Sequence, residues 1–141
     1  MDFAEYLTRN SHRFDDYLAS FFESVDDSDM QRYLYQPLAR FTANAGKRHR
    51  PLICVLACRA VGGNGEEARS SAAAIEHFHN AALIHDDIAD ESLTRRGEPC
   101  MHIAEGEGLA INAGDLALTL VIATPLRDET LPDDRKLRVI D

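Results

Sequence analysis

From Glu66 to about Glu91 the chain contains no Gly or Pro and is rich in alanine, with apolar residues recurring at three and four rather than alternating. That pattern predicts one helix of about seven turns at ~3.6 residues per turn. A helix this long cannot bury its own apolar face and needs other helices around it. The same spacing holds through the rest of the chain, so the expected fold class is all-α, without strands or hairpins. With 45% hydrophobic and 28% charged residues, residues 1–141 hold enough apolar material for the core of a single all-helical region.

The remaining helices are bounded by turn residues. A first helix is expected from Phe3 to Val25, with Phe3, Leu7, Phe14, Leu18 and Phe21 or Phe22 on one stripe. A second covers Met30 to Thr42. Pro51 falls in the first turn of a third, which Gly62-Gly-Asn-Gly stops after Val61. A loop at Gly97 and Pro99 leads to a short helical piece near Met101, a buried helix from Leu109 to Ile122, and a capped start at Asp133.

Several function classes are disfavoured. The net charge of −9 argues against nucleic acid, whose binders cluster Lys and Arg. The apolar runs Pro51–Val61 and Leu109–Pro125 are broken by polar residues, so no transmembrane segment is expected. Met1-Asp-Phe-Ala-Glu-Tyr6 puts acids where a signal peptide has basic residues, and cytoplasmic residence follows as the default. Three cysteines, with Cys54 and Cys58 one turn apart and no second pair, read as buried inert thiols.

Chemistry concentrates in two clusters. Asp86-Asp87-Ile-Ala-Asp90 lies near the C-terminal end of the long helix, where the macrodipole favours cations. At about 100° per residue, His79, Asp86 and Asp90 share one face, and Asp87 points aside. Carboxylates four apart can share a hard cation such as magnesium, whose other positions go to water and phosphate oxygens. A solvated helix end balanced by Arg95 and Arg96 is the alternative. The second cluster, Gly46-Lys-Arg-His-Arg-Pro51, puts cations before a helix N-terminus and reads either as a metal-free diphosphate site or as a solvated basic loop.

Gly46-Lys-Arg-x-Arg-Pro51, Glu76-His-Phe-His-Asn-Ala-Ala-Leu-Ile-His-Asp-Asp-Ile-Ala-Asp90, Arg95-Arg-Gly97 and Ala113-Gly-Asp115 occur in this order. Together they resemble the trans-isoprenyl diphosphate synthases, the polyprenyl synthetases of geranylgeranyl or farnesyl type. The resemblance implies the isoprenoid synthase helical bundle, here its N-terminal part, with the aspartate-rich motif on the central helix. It implies Mg2+ as cofactor, held by Asp86 and Asp90 on an allylic diphosphate with Asp87 in support, and Arg95 clamping that diphosphate. Isopentenyl diphosphate would bind without metal through Lys47, Arg50, His79 and Arg96, leaving Arg48 and His49 as surface residues. The reaction implied is head-to-tail prenyl transfer, in a homodimer.

Other residues receive roles in the same way. His85 is expected to pack against or orient the aspartates, and Asp115 either faces the site or forms a structural salt bridge. His12, His77 and His102 read as surface or capping residues. Ala81 and Ala82 either leave the product cavity open or permit close helix packing, and Phe78 could partly close that cavity deeper down, which favours geranylgeranyl or longer products. The family's second aspartate-rich motif and a downstream Lys are not found in these residues, and Asp133-Asp134 cannot substitute. The chain therefore reads as part of a longer polyprenyl synthetase domain, or as a noncatalytic diphosphate-binding half of a heteromeric synthase. A class I terpene cyclase would share the aspartate-rich motif but have no use for Lys47, Arg50 and Arg96.

Overall fold

The computed structural model describes residues 3–23, 26–44 and 46–141; the expected helix end at Val25 and the side chains of Phe3 and Leu7 lie outside the described residues. Eight α-helices follow in order: α1 (Phe3–Ser20), α2 (Ser28–Met30), α3 (Gln36–Ala43), α4 (His49–Ala60), α5 (Arg69–Ala89), α6 (Met101–Ala104), α7 (Glu107–Leu126) and α8 (Asp133–Ile140). The all-α expectation holds. A π-helical stretch, Gln31–Tyr35, joins α2 to α3 immediately before Pro37. Pro37 lacks an N–H and its ring would crowd the carbonyl four residues earlier, so the wider turn accommodates it.

The long run of the sequence becomes α5, entered through a 3-10 turn, Glu66–Ala68. It packs along α7 through small residues: Ala81 and Ile84 meet Ala110, Ala113, Ala117 and Leu120 in one cluster, joined by Phe22, Leu38 and Met101. A second cluster holds α1 against the start of α5 through Phe14, Leu18, Ala72 and Ala73. Ala81 therefore serves helix packing. Among the cysteines, which are all free thiols, Cys100 is buried, whereas Cys54 and Cys58 are only half-buried.

Three expectations are corrected. Thr94–Arg95 pairs antiparallel with Glu98–Pro99, a hairpin whose turn residues Arg96 and Gly97 both have positive φ, 53° and 86°, as a two-residue loop of this type requires. Strands of two residues carry no readable alternation. Helix α7 continues through Pro125 to Leu126, and by length and composition alone is apolar enough to cross a membrane, with 39% of its most apolar stretch buried inside the chain. A bundle's core helix has the same composition. Helix α8 begins without a side-chain cap, Pro132 occupying that position.

Candidate active site

Two polar lines run along α5, side by side. Glu76, Asn80 and Asp87 are all buried and fall within about 40° of one another at 100° per residue. Each is met by a different element. Glu76 accepts from Arg48 at 2.6 Å, Asn80 donates to Thr42 Oγ1 of α3 at 3.1 Å, and Asp87 accepts three hydrogen bonds of 2.6–2.9 Å from Arg95 of the hairpin. This line docks the basic segment, α3 and the hairpin at defined heights on α5.

The neighbouring line, His79, Asp86 and Asp90, faces outward. Arg50, in the first turn of α4, lies 3.3 Å from His79 through Nη1 and Nε2. A guanidinium can only donate, so Nε2 accepts and the ring proton sits on Nδ1. Partial burial, then the Arg50 charge, hold the His79 pKa below its ordinary value. Arg96 comes to the same side and donates to the Asn44 carbonyl at 2.5 Å; it is close enough to His79 to press its pKa down as well. Lys47 is exposed beside them. The structure thus brings Arg50, His79 and Arg96 together.

Asp86 and Asp90 are exposed one turn apart, and their carboxylates carry no hydrogen bond or ion pair among the described residues. They stand at the end of α5, where the chain turns away through Glu91 at φ 50° and the bond from Ser92 N to Asp87 O, 2.9 Å. Unpaired carboxylates at the negative end of a helix dipole are a place for a cation. No three His, Cys, Asp or Glu side chains among the described residues form a ready-made cage. Two hard oxygen donors open to solvent still fit Mg2+, which keeps several waters and relies on substrate phosphates for the rest of its shell.

Sequence reasoning misplaced Arg48 and His77. Arg48, read as a surface residue, has a side chain only 1% exposed. Arg95 is committed to Asp87 through Nε and Nη2, and this bond raises its pKa; Nη1 takes no part in that pairing. Asp87, expected to point aside from Asp86 and Asp90, is 1% exposed and holds Arg95. His77 is fully buried between Phe21 and Phe22, whose rings stand edge-on at 5.3 and 6.1 Å. Helical period could have found it, because His77, Ile84 and Ile88 share the inward face of α5. His102 is half-buried and His12 and His49 are exposed.

The polyprenyl synthetase family model matches residues 31–135, which takes in both clusters, the hairpin and α7. The chain belongs to this family. Its relatives include a short chain isoprenyl diphosphate synthase of Methanothermobacter thermautotrophicus, 41% identical over 106 residues, which are 75% of this chain and 32% of that protein. A geranylgeranyl diphosphate synthase of Cyanophora paradoxa is 39% identical over 113 residues, 77% of this chain and 37% of that protein. Among solved structures, the geranylgeranyl pyrophosphate synthetase of Pyrococcus horikoshii superposes with a TM-score of 0.86 at 34% identity, covering 96% of this chain and 40% of that one. The chain spans about a third of the length of the curated relatives it matches.

Two glycines of the polyprenyl synthetase motifs have a structural reason here. A Cβ on Gly46 would lie 2.6 Å from Arg48 Nη1, so glycine lets the buried Arg48 guanidinium close on this turn. A Cβ on Gly114 would meet the His85 imidazole at 2.4 Å. His85 lies over that gap with Nε2 3.6 Å from Asp115 Oδ1, fixing the residue before Asp86 against α7.

Proposed function

We propose that this chain carries two diphosphate sites of a prenyltransferase that condenses isopentenyl diphosphate with an allylic diphosphate, head to tail and in a Mg2+-dependent manner. The supporting observation is the face of α5 that puts His79, with Arg50 against it, two turns below the unpaired carboxylates of Asp86 and Asp90. Seven residues at 1.5 Å each separate the two groups by about 10 Å along the helix. A cationic patch and an anionic one at that distance can hold two diphosphates side by side, one directly and one through metal.

In this reading Lys47, Arg50, His79 and Arg96 bind the isopentenyl diphosphate without metal, the neutral His79 ring donating through Nδ1. Asp86 and Asp90 would hold magnesium, which when bound would supply positive charge to the departing diphosphate. Arg95, with Asp87 fixing its plane, offers its outer nitrogen to that same group, and preorganised donors of this kind need no rearrangement as charge develops. The apolar surface below the aspartates keeps water from the reacting carbons. A groove of about 460 Å³ lined by Ile75, Phe78, Ile122 and Val139 has room for a long prenyl tail, in keeping with geranylgeranyl or longer products. Helix α7 acts as a core helix here, the protein residing in the cytoplasm as a homodimer.

The test is to incubate the chain with labelled isopentenyl diphosphate, magnesium and each allylic diphosphate in turn, beside Asp86→Ala, and to size the products. Metal-dependent elongation lost in Asp86→Ala supports the reading. A second reading, a diphosphate-binding half working with a catalytic partner chain, is favoured by the exposed apolar side chains around that groove, Phe78 and Ile122 being 58% and 51% exposed. It predicts diphosphate binding without turnover.

A further inference from the structure

We infer that Arg48 is a positioning residue for the metal-free diphosphate site, setting the spacing between Lys47 and Arg50 on one side and His79 and Arg96 on the other through a buried clamp with Asp15 and Glu76. The inference rests on the functional reading above. It begins from a backbone anomaly: Arg48 is a non-glycine residue at φ 49°, the N-cap of α4, a conformation that costs energy and persists where the surroundings enforce it. Here the enforcement is visible. The guanidinium donates from Nε to Asp15 Oδ1 of α1 at 2.6 Å, from Nη1 to Glu76 Oε1 of α5 at 2.6 Å, and from Nη2 to the Thr42 carbonyl of α3.

One side chain therefore ties three helices to the turn that carries the basic motif. Its neighbours in sequence are the exposed Lys47 and, two residues on, Arg50; left-handed backbone at Arg48 turns its own side chain inward while they stay outside. Glu76 sits one turn before His79 on α5, so the Arg48–Glu76 pair sets the height of the basic turn against that histidine. The arrangement also balances charge. Two carboxylates surround one buried guanidinium, and the excess negative charge of Glu76 acts on both His79 and Arg96, opposing the mutual repulsion of Arg48, Arg95 and Arg96. Gly46 packs against Arg48 with no room for a side chain, and Arg96 is tied to the same segment through the Asn44 carbonyl, so displacement of Arg48 disturbs the turn on which Arg96 rests.

Lysine cannot replace this group, because three acceptors on three helices need the planar fork of a guanidinium. The experiment is calorimetric titration of isopentenyl diphosphate without metal, and of an allylic diphosphate with Mg2+, into the wild type, Arg48→Lys and Asp15→Asn, with circular dichroism of each. Asp15 is 41% exposed at its side chain, so Asp15→Asn loosens the clamp with the Arg48–Glu76 pair kept. The expected result is metal-free affinity reduced about tenfold or more in Arg48→Lys and by less in Asp15→Asn, with metal-dependent binding kept within about twofold. A purely structural role would weaken both ligands together, and that outcome, or unchanged metal-free binding in both variants, overturns the inference. Absence of isopentenyl diphosphate binding in the wild type overturns the functional reading itself, and the inference with it.

Discussion

His77 makes the stability of this chain depend on pH in a window that can be calculated. The imidazole is fully buried, both ring nitrogens lack a hydrogen-bond partner among the described residues, and burial lowers its pKa from 6.5 to about 4. Above pH 6.5 the ring is neutral folded and unfolded, and its effect on stability is constant. Below 6.5 the unfolded chain takes up a proton that the folded chain refuses until about pH 4, so stability falls through that interval and levels off beneath it. The shift corresponds to about 3 kcal/mol in full, of which about 2.5 kcal/mol is lost by pH 4.5. His77→Leu, close in volume, removes the titration, and at pH 7.5 it also removes unpaired buried nitrogens at the expense of two edge-on ring contacts. Its net effect there is expected within about 1.5 kcal/mol of zero. Urea denaturation of both proteins at pH 7.5 and 4.5 measures the difference, and carboxylate titrations shared by the two cancel. If wild type and His77→Leu lose equal stability between these pH values, the reasoning is refuted.

Two other substitutions test the packing around the site. Arg95→Met leaves the Asp87 carboxylate, 1% exposed, without its partner, and should destabilise the fold by about 3 kcal/mol in urea denaturation; Asp87→Asn in the same background should recover part of the loss. Gly114→Ala drives a methyl into the His85 ring against the gain in helix propensity of alanine over glycine, so in a double-mutant cycle it should be more favourable by about 1 kcal/mol in the His85→Ala background than in the wild type.

The fold was legible wherever a helix was long enough for its period to repeat. Helix α5 and the helix end marked by Gly62 follow from pattern and turn chemistry alone. The outward line His79–Asp86–Asp90 was legible for the same reason, since i, i+7 and i+11 share a face on any helix. What was hidden depends on backbone conformation that residue identity does not announce. In Lys47-Arg48-His49-Arg50 three side chains point outward and one inward, and the choice is made by left-handed φ at Arg48. That Asp87 points aside from Asp86 was legible from the rotation of about 100°; its burial against Arg95 was not, because a hairpin of two-residue strands delivers that arginine. His77 could have been found, because it occupies a position of the apolar stripe of α5; reading histidine as a polar residue concealed it.

The central claim is that one face of α5 separates two diphosphates by their dependence on metal. Titrations of isopentenyl diphosphate and of an allylic diphosphate, each with and without Mg2+, test it in the wild type, Arg50→Ala and Asp86→Ala. The account predicts isopentenyl diphosphate binding that ignores metal and is lost in Arg50→Ala, and allylic diphosphate binding that requires metal and is lost in Asp86→Ala. Metal-independent binding of both ligands, or an Asp86→Ala variant that binds the allylic diphosphate as the wild type does, would contradict it.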